Sequence, residues 1–420
     1  MVFGIRPAAR GTDMLVRLIV AGLLALGALA GASQAETSWV PSWTAAPQQL
    51  DPTDSLPTAL LHDATLRQSI RLSIGGSRIR ICLSNAFSDK PLVITGIRVG
   101  MAGAAGAAAV LANSDRPVHF GGRRDVLVPP HGTAFSDVVR LSLPPLARLS
   151  ISMHLANAPR QQTGHRRSRS TSWLAAGNQL DALSLTRAMP FEHWYFLSAV
   201  QVEAPRARLI VAFGDSITDG SGSTPDKNDR WPDLLSERLQ SMPSTRRWAV
   251  ANEGIAGNQL LADGYGPNAL ARFEQDALSQ PHVRTLFLQE GINDLGQFTQ
   301  AGPRTAAAHA ALVVQVIRAY DQLIARAHAR GLRVVGATIM PYGGSDYHPA
   351  DLEENDRRAV NQWIRTSGRF DAVVDWDAVL RDPGDPTRLN AAYDWGDHIH
   401  PSPAGHRAML DAIPASELFR

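Results

Sequence analysis

An apolar run that stops against a turn constrains this chain most. Leu209 to Phe213 is short, unbroken and apolar, and Gly214, Asp215 and Ser216 follow at once. A run of that length bounded by turn residues predicts a strand buried on both faces, as in parallel sheets. Ser216 then stands just past the strand's carboxyl end. Open α/β sheets bind ligands at that edge, so its hydroxyl is a candidate nucleophile. A serine that merely caps the next helix leaves the same local pattern, and the rest of the chain must separate the two readings.

From Arg208 onward strands alternate with helices. Trp231, Leu234, Leu235, Leu239 and Met242 fall at helical spacing, with Pro232 in the first turn, where a missing N–H costs least. Further strands are expected at Trp248 to Ala251, Thr285 to Gln289, Leu332 to Ile339 and Ala372 to Val374. Helices are expected over Thr305 to Arg330, stopped by Gly331, and over Glu353 to Arg365. Five strands interleaved with helices predict a parallel sheet covered on both faces.

Residues 36–203 read differently. Ile70, Leu72 and Ile74 alternate with polar residues, Gly75-Gly76 follows, and Ile79, Ile81 and Leu83 alternate again, which is the pattern of a hairpin with a two-residue turn. Further short strands at Leu92 to Val99, His119 to Phe120, Asp125 to Val128 and Leu149 to Leu155 suggest a β-sandwich or jelly roll. Met101 to Ala109 reads as a loop, Arg160 to Arg169 as a solvated loop rather than a clamp for an anionic substrate, and Trp194-Tyr195-Phe196 as core rather than a sugar site.

The start of the chain is an address. Arg6, Arg10 and Arg17, the apolar stretch Leu18 to Ala30 and Ser33-Gln34-Ala35 have the layout of a secretory signal over residues 1–35, too short for a confident membrane span. Cleavage there removes three arginines and one aspartate and leaves 38 basic against 38 acidic residues. The neutrality of the mature chain argues against a nucleic-acid binder, which normally shows a basic face. A secreted or periplasmic location follows, with no stable membrane span after cleavage. Cys82 is the sole cysteine, so no internal disulfide can form, and it reads as a buried structural residue. The expected organisation is thus signal 1–35, β-rich domain 36–203 and α/β domain 204–420.

Polar groups cluster just after the strands of the second domain. Ser216 follows the first, Asn252 to Asn258 the second, Gly291-Ile292-Asn293-Asp294 the third, and Asp397-His398-Ile399-His400-Pro401 the fifth across a loop. A parallel sheet gathers these carboxyl ends along one edge. A serine hydroxyl needs an adjacent base, and the base an orienting carboxylate. His400 can be the base and Asp397 its partner. Acyl transfer also needs donors for a developing oxyanion, and the backbone N–H of Ser216 and Gly257 with the side-chain amide of Asn293 fit that need. Asp215 and Asp294 read as braces of their turns. His398, His400 and His406 with Asp394 and Asp397 could instead hold a metal, but that would leave Ser216 unexplained. His398 reads as a surface or supporting residue, and His406 as part of a last helix capped by Ser402.

Gly214-Asp215-Ser216, Gly257, Gly291-x-Asn293-Asp294 and Asp397-x-x-His400 resemble, in order, the four blocks of the GDSL/SGNH hydrolase superfamily. With Trp39-Val40-Pro41-Ser42-Trp43 at its start, the chain is similar to the extracellular esterase branch that carries an N-terminal β-domain. The resemblance covers roughly residues 206–420. It implies a flavodoxin-like fold, a metal-free and cofactor-free serine esterase, catalysis by Ser216, His400 and Asp397, and an oxyanion hole of Ser216, Gly257 and Asn293. It further implies a short acyl ester, acetyl above all, or an acylated polysaccharide as substrate. Alternatives are a lipase, phospholipase or thioesterase for longer chains, or an inert carbohydrate-binding protein. The Gly-x-Ser-x-Gly elbow of α/β-hydrolases is absent at Ser216.

Overall fold

Arg208–Gly214 forms the strand next to one edge of a five-stranded parallel sheet, in the computed structural model that describes residues 1–4 and 39–414. Its neighbours are Trp248–Gly254 on one side and Val283–Gln289 on the other, and Arg333–Ala337 and Ala372–Val374 complete the sheet outward. Numbered along the chain, the order is 2-1-3-4-5, the doubly wound order of flavodoxin-like sheets. Leu209 to Phe213 are fully buried, as an apolar run flanked on both faces by helices requires. The connection changes direction beside the first strand, and the crevice at such a switch point is where ligands bind.

The helices follow the expected periodicity. Trp231–Ser241 carries Pro232 in its first turn and packs through Trp231, whose ring lies 4.7 Å from Phe287 and 5.3 Å from Trp376 between centroids. Ala306–Ala329 ends where Gly331 takes φ +68°. The Leu332 N–H reaches back to the Ala327 carbonyl at 3.1 Å and the Gly331 N–H to that of His328 at 2.9 Å, which satisfies the last carbonyls in a Schellman arrangement. Among the described residues no helix is long and apolar enough to cross a membrane. The expected signal segment, residues 1–35, lies almost entirely outside the described residues.

The β-rich half builds three antiparallel sheets. One joins Trp39–Thr44, Leu197–Glu203, Gly76–Ser84, Thr133–Phe135 and Val139–Leu143; a second, of seven strands, has Ala64–Arg71, Arg148–Asn157 and Leu92–Met101 at its centre. The third is small, with Thr163–Arg166 between Gln48–Gln49 and His193–Tyr195. Cys82 and Trp194 to Phe196 are core residues.

Two expectations are corrected here. Of the alternating segments on either side of Gly75-Gly76, the second is strand Gly76–Ser84, but the first leaves strand Ala64–Arg71 before Leu72, and the two strands belong to different sheets and form no hairpin. The segment between them is taken over by other partners: the Ser73 N–H donates to the Ser42 carbonyl at 2.7 Å and the Ile74 N–H to Ser42 Oγ at 3.0 Å. Gly75 passes so close to the Leu143 carbonyl that a Cβ would sit 2.3 Å from it. Likewise Arg160 to Arg169 is no solvated loop throughout, since Thr163–Arg166 is a strand with all four residues buried. Composition misled there because buried arginines and histidines find partners that only the fold supplies.

From Trp39 onward the chain forms one compact unit. The two halves are bonded directly: Thr44 Oγ1 donates to the Asn252 carbonyl at 3.1 Å, the Val250 N–H to Ser73 Oγ at 3.1 Å, and Arg71 pairs with Glu237 at 2.8 Å.

Candidate active site

Ser216 opens a single helical turn, Ser216–Asp219, directly after strand Arg208–Gly214. Asp215 caps it by accepting the Ile217 N–H at 2.9 Å, and its other oxygen accepts from Gln289 Nε2 at 2.9 Å. Gly214 is required before it, because a Cβ there would lie 2.4 Å from the Gln289 carbonyl. Burial, helped by the nearby Asp294 charge, outweighs these two hydrogen bonds and the charge of Arg272 and pushes the Asp215 carboxyl up to about 7.

Ser216 Oγ lies 2.8 Å from His400 Nε2, and His400 Nδ1 lies 2.6 Å from Asp397 Oδ2. A carboxylate can only accept, so Nδ1 carries the proton and Nε2 is left to accept from the serine hydroxyl. Asp397 is itself fixed by the His400 N–H at 2.9 Å and the Ile399 N–H at 3.2 Å. Partial burial would raise its carboxyl, but hydrogen bonds led by the one to His400 outweigh that and hold it below the usual carboxylate range. The loop closes on itself through the Trp395 N–H, which donates to the His400 carbonyl at 3.0 Å.

Two more strand ends converge on the same cleft of about 330 Å³, which Ser216, Gly257, Asn293 and His400 all line. Gly257 has φ +78°, and a Cβ there would lie 2.5 Å from the Tyr265 ring, so only glycine fits. Gly291, at φ +99°, turns the chain into helix Ile292–Ala301 and puts Asn293 in the first turn. Asn293 Nδ2 donates to the Asn258 carbonyl at 2.8 Å and Tyr347 Oη donates to Asn293 Oδ1 at 2.8 Å. The carbonyl fixes which end of the amide is nitrogen, and the second N–H remains for the cleft. Among the described residues neither the Ser216 nor the Gly257 backbone N–H has a hydrogen-bond partner. Asp294 accepts the Leu260 and Leu261 N–H groups at 2.8 and 3.0 Å, tying the third strand's turn to the second's, and burial raises its carboxyl to about 6.

The other histidines are committed elsewhere. His398 is exposed and bonded to Asp394 at 2.6 Å. His406 is buried on helix Pro403–Asp411, which Ser402 caps, and its Nε2 donates to the Ser221 carbonyl at 3.1 Å. Among the described residues no group of three or more His, Cys, Asp or Glu side chains is placed to hold a metal ion. Tyr265, Tyr347, Arg166 and Arg167 also line the cleft, and sequence reasoning did not single them out as site residues. The arginines come from the β-rich half, and no local motif marks any of the four.

Residues 212–408 match the GDSL-like Lipase/Acylhydrolase family. Solved structures similar to this chain include a lipolytic protein of the G-D-S-L family from Desulfitobacterium hafniense DCB-2, at 18% identity over 49% of this chain and 96% of that one, with a TM-score of 0.35. An acetylxylan esterase from Geobacillus stearothermophilus shares 22% identity over 49% of this chain and 91% of its own, with a TM-score of 0.36. No curated protein matches the chain.

Proposed function

Because this chain belongs to the GDSL/SGNH hydrolase superfamily and is a carboxylic ester hydrolase, we propose that it cleaves short acyl esters, acetyl above all, by a Ser216-His400-Asp397 mechanism. The observation that carries the reading is the unbroken relay from Ser216 Oγ through His400 to Asp397, with both contacts under 3 Å. His400 Nε2 takes the hydroxyl proton as Ser216 attacks the ester carbonyl, and returns it to the departing alcohol. The tetrahedral oxyanion is held by the Ser216 and Gly257 N–H groups and the free N–H of Asn293, donors that are in place before the charge develops. Water activated by His400 then hydrolyses the acyl-enzyme.

The alcohol is proposed to be a polysaccharide, by analogy with the acetylxylan esterase. Residues 1–35 are proposed to direct export to the periplasm or medium. The β-rich half, proposed as domain 36–203, is read as a sandwich of its two larger sheets preceding the hydrolase domain 204–420. An acyl-length series of p-nitrophenyl esters assayed beside acetylated xylan tests the reading. Highest kcat/KM at acetyl, with acetate released from xylan, is expected. A maximum at long chains would make the protein a lipase, and no turnover at all would leave a binding protein.

A further inference from the structure

We propose that the β-rich half is a working part of the hydrolytic site: strand Thr163–Arg166, together with Gln48, positions the loop that presents the Gly257 N–H, and Asp219 is the residue through which it acts. The inference rests on the oxyanion role proposed above for Gly257.

Asp219 ends the single turn that begins with Ser216. Its Oδ2 accepts the Ala256 N–H at 3.1 Å, one residue before Gly257. Its Oδ1 lies 3.0 Å from His165 Nε2, while His165 Nδ1 lies 2.9 Å from the Ala46 carbonyl. Both ring nitrogens therefore face oxygen acceptors, and the ring is held between two parts of the β-rich half and the hydrolase turn. The side chains of His165 and Asp219 are 4% and 3% exposed, so solvent does not weaken this link.

A second contact reaches the same loop from the other side. Tyr265 lies against Gly257 and is covered by the Arg166 guanidinium, 3.7 Å from the ring centroid. Gln48 Nε2 donates to the Tyr265 carbonyl at 2.8 Å, and Gln48 Oε1 accepts the Arg166 N–H at 3.1 Å. Inside the hydrolase half, Arg272 Nε holds Asn258 Oδ1 at 2.8 Å. The turn Ala256-Gly257-Asn258 is thus met at each of its residues, by Asp219, Tyr265 and Arg272, and the first two of these are in turn held from the β-rich half by His165, Arg166 and Gln48. A donor that must meet a transient charge works only if it cannot relax away, which is what such fixing achieves.

Asp219→Ala and Asp219→Asn distinguish positioning from simple support of the fold. Alanine removes both bonds. Asparagine preserves them, because its Oδ1 still accepts the Ala256 N–H and its Nδ2 can donate to a neutral His165 that keeps its Nδ1 proton on Ala46. On p-nitrophenyl acetate, Asp219→Ala is expected to lower kcat by roughly 10- to 100-fold with KM within about twofold. The rate of covalent inactivation by paraoxon, which needs the same oxyanion donors, should fall in parallel, and Asp219→Asn should recover most of both. If Asp219→Ala does not fold by circular dichroism, His165→Asn, which withdraws from Asp219 without emptying the site, is read instead and should show the same kcat-selective loss. A KM rise with kcat intact, or an asparagine variant as impaired as alanine, overturns the proposal. Ser216→Ala run alongside keeps the two readings apart: its retained turnover would sink the triad itself, whatever Asp219 does.

Discussion

Ser216 and His400 are 184 positions apart in the chain, yet Ser216 Oγ and His400 Nε2 meet at 2.8 Å. Neither residue could be brought there by local structure. The serine is delivered by strand Arg208–Gly214, next to one edge of the parallel sheet, and the histidine by a loop that follows the strand at the other edge, so the contact depends on the strands between them.

Ser216→Ala should abolish ester turnover, by several orders of magnitude, because the nucleophile is removed and nothing replaces it. The melting temperature should stay within a few degrees, since only one hydroxyl and its bond to His400 are lost. Turnover and thermal denaturation measured on the same preparation check both halves of the expectation.

Asp397→Asn removes the acceptor that fixes the Nδ1 proton of His400. An amide can present its N–H to that nitrogen and stabilise the tautomer in which Nε2 is already protonated, which cannot take the serine proton. A loss of kcat of about 10,000-fold is expected, the size seen for this exchange in serine proteases. Stopped assays at high enzyme concentration would detect it, and near-normal kcat would show that Asp397 does not orient the base.

Asn293→Ala should lower kcat by roughly 100- to 1,000-fold with little change in KM. Tyr347→Phe is the milder companion, because it leaves the Asn293 amide in place but removes the hydroxyl that donates to Oδ1. A smaller kcat loss, about 10-fold, is expected of it. If Asn293→Ala raised KM instead, the amide would be a ground-state substrate contact.

His406 predicts a pH dependence of stability. Burial drives its pKa down to about 4, outweighing the opposite pull of the Ser221 carbonyl that Nε2 meets at 3.1 Å, and Nδ1 faces the Trp231 N–H at 3.4 Å. In the unfolded chain it protonates near 6.5. Between these values the unfolded state binds the extra proton, so this contribution is present above pH 6.5 and is lost as pH falls toward 4. Asp215 and Asp294, raised to about 7 and about 6, act in the opposite sense and lose stability as pH rises through those values. The difference in unfolding free energy between wild type and His406→Gln isolates the histidine. It should widen by on the order of 3 kcal/mol from pH 4 to pH 7 in urea titrations, and a flat difference would refute a neutral buried ring.

Local patterns in the chain were enough to specify the parallel sheet and to point to the candidate site residues. Leu209 to Phe213 could only be a doubly buried strand, Gly331 could only stop a helix, and Ser216, Gly257, Asn293 and His400 each follow a strand whose apolar pattern is local. Such signals survive in a single chain because they depend on neighbours within a few residues. Relationships whose two ends lie far apart in the chain arise only on folding. The alternation around Gly75-Gly76 is the same for a hairpin as for two strands that part into different sheets, and contacts with Ser42 and Leu143 settle which occurs. The polar look of residues 160–169 is the same for a solvated loop as for a buried strand whose His165 meets Asp219. Polar side chains carry no mark of where their partner lies, because the desolvation they suffer on burial is offset only by groups that folding brings from elsewhere.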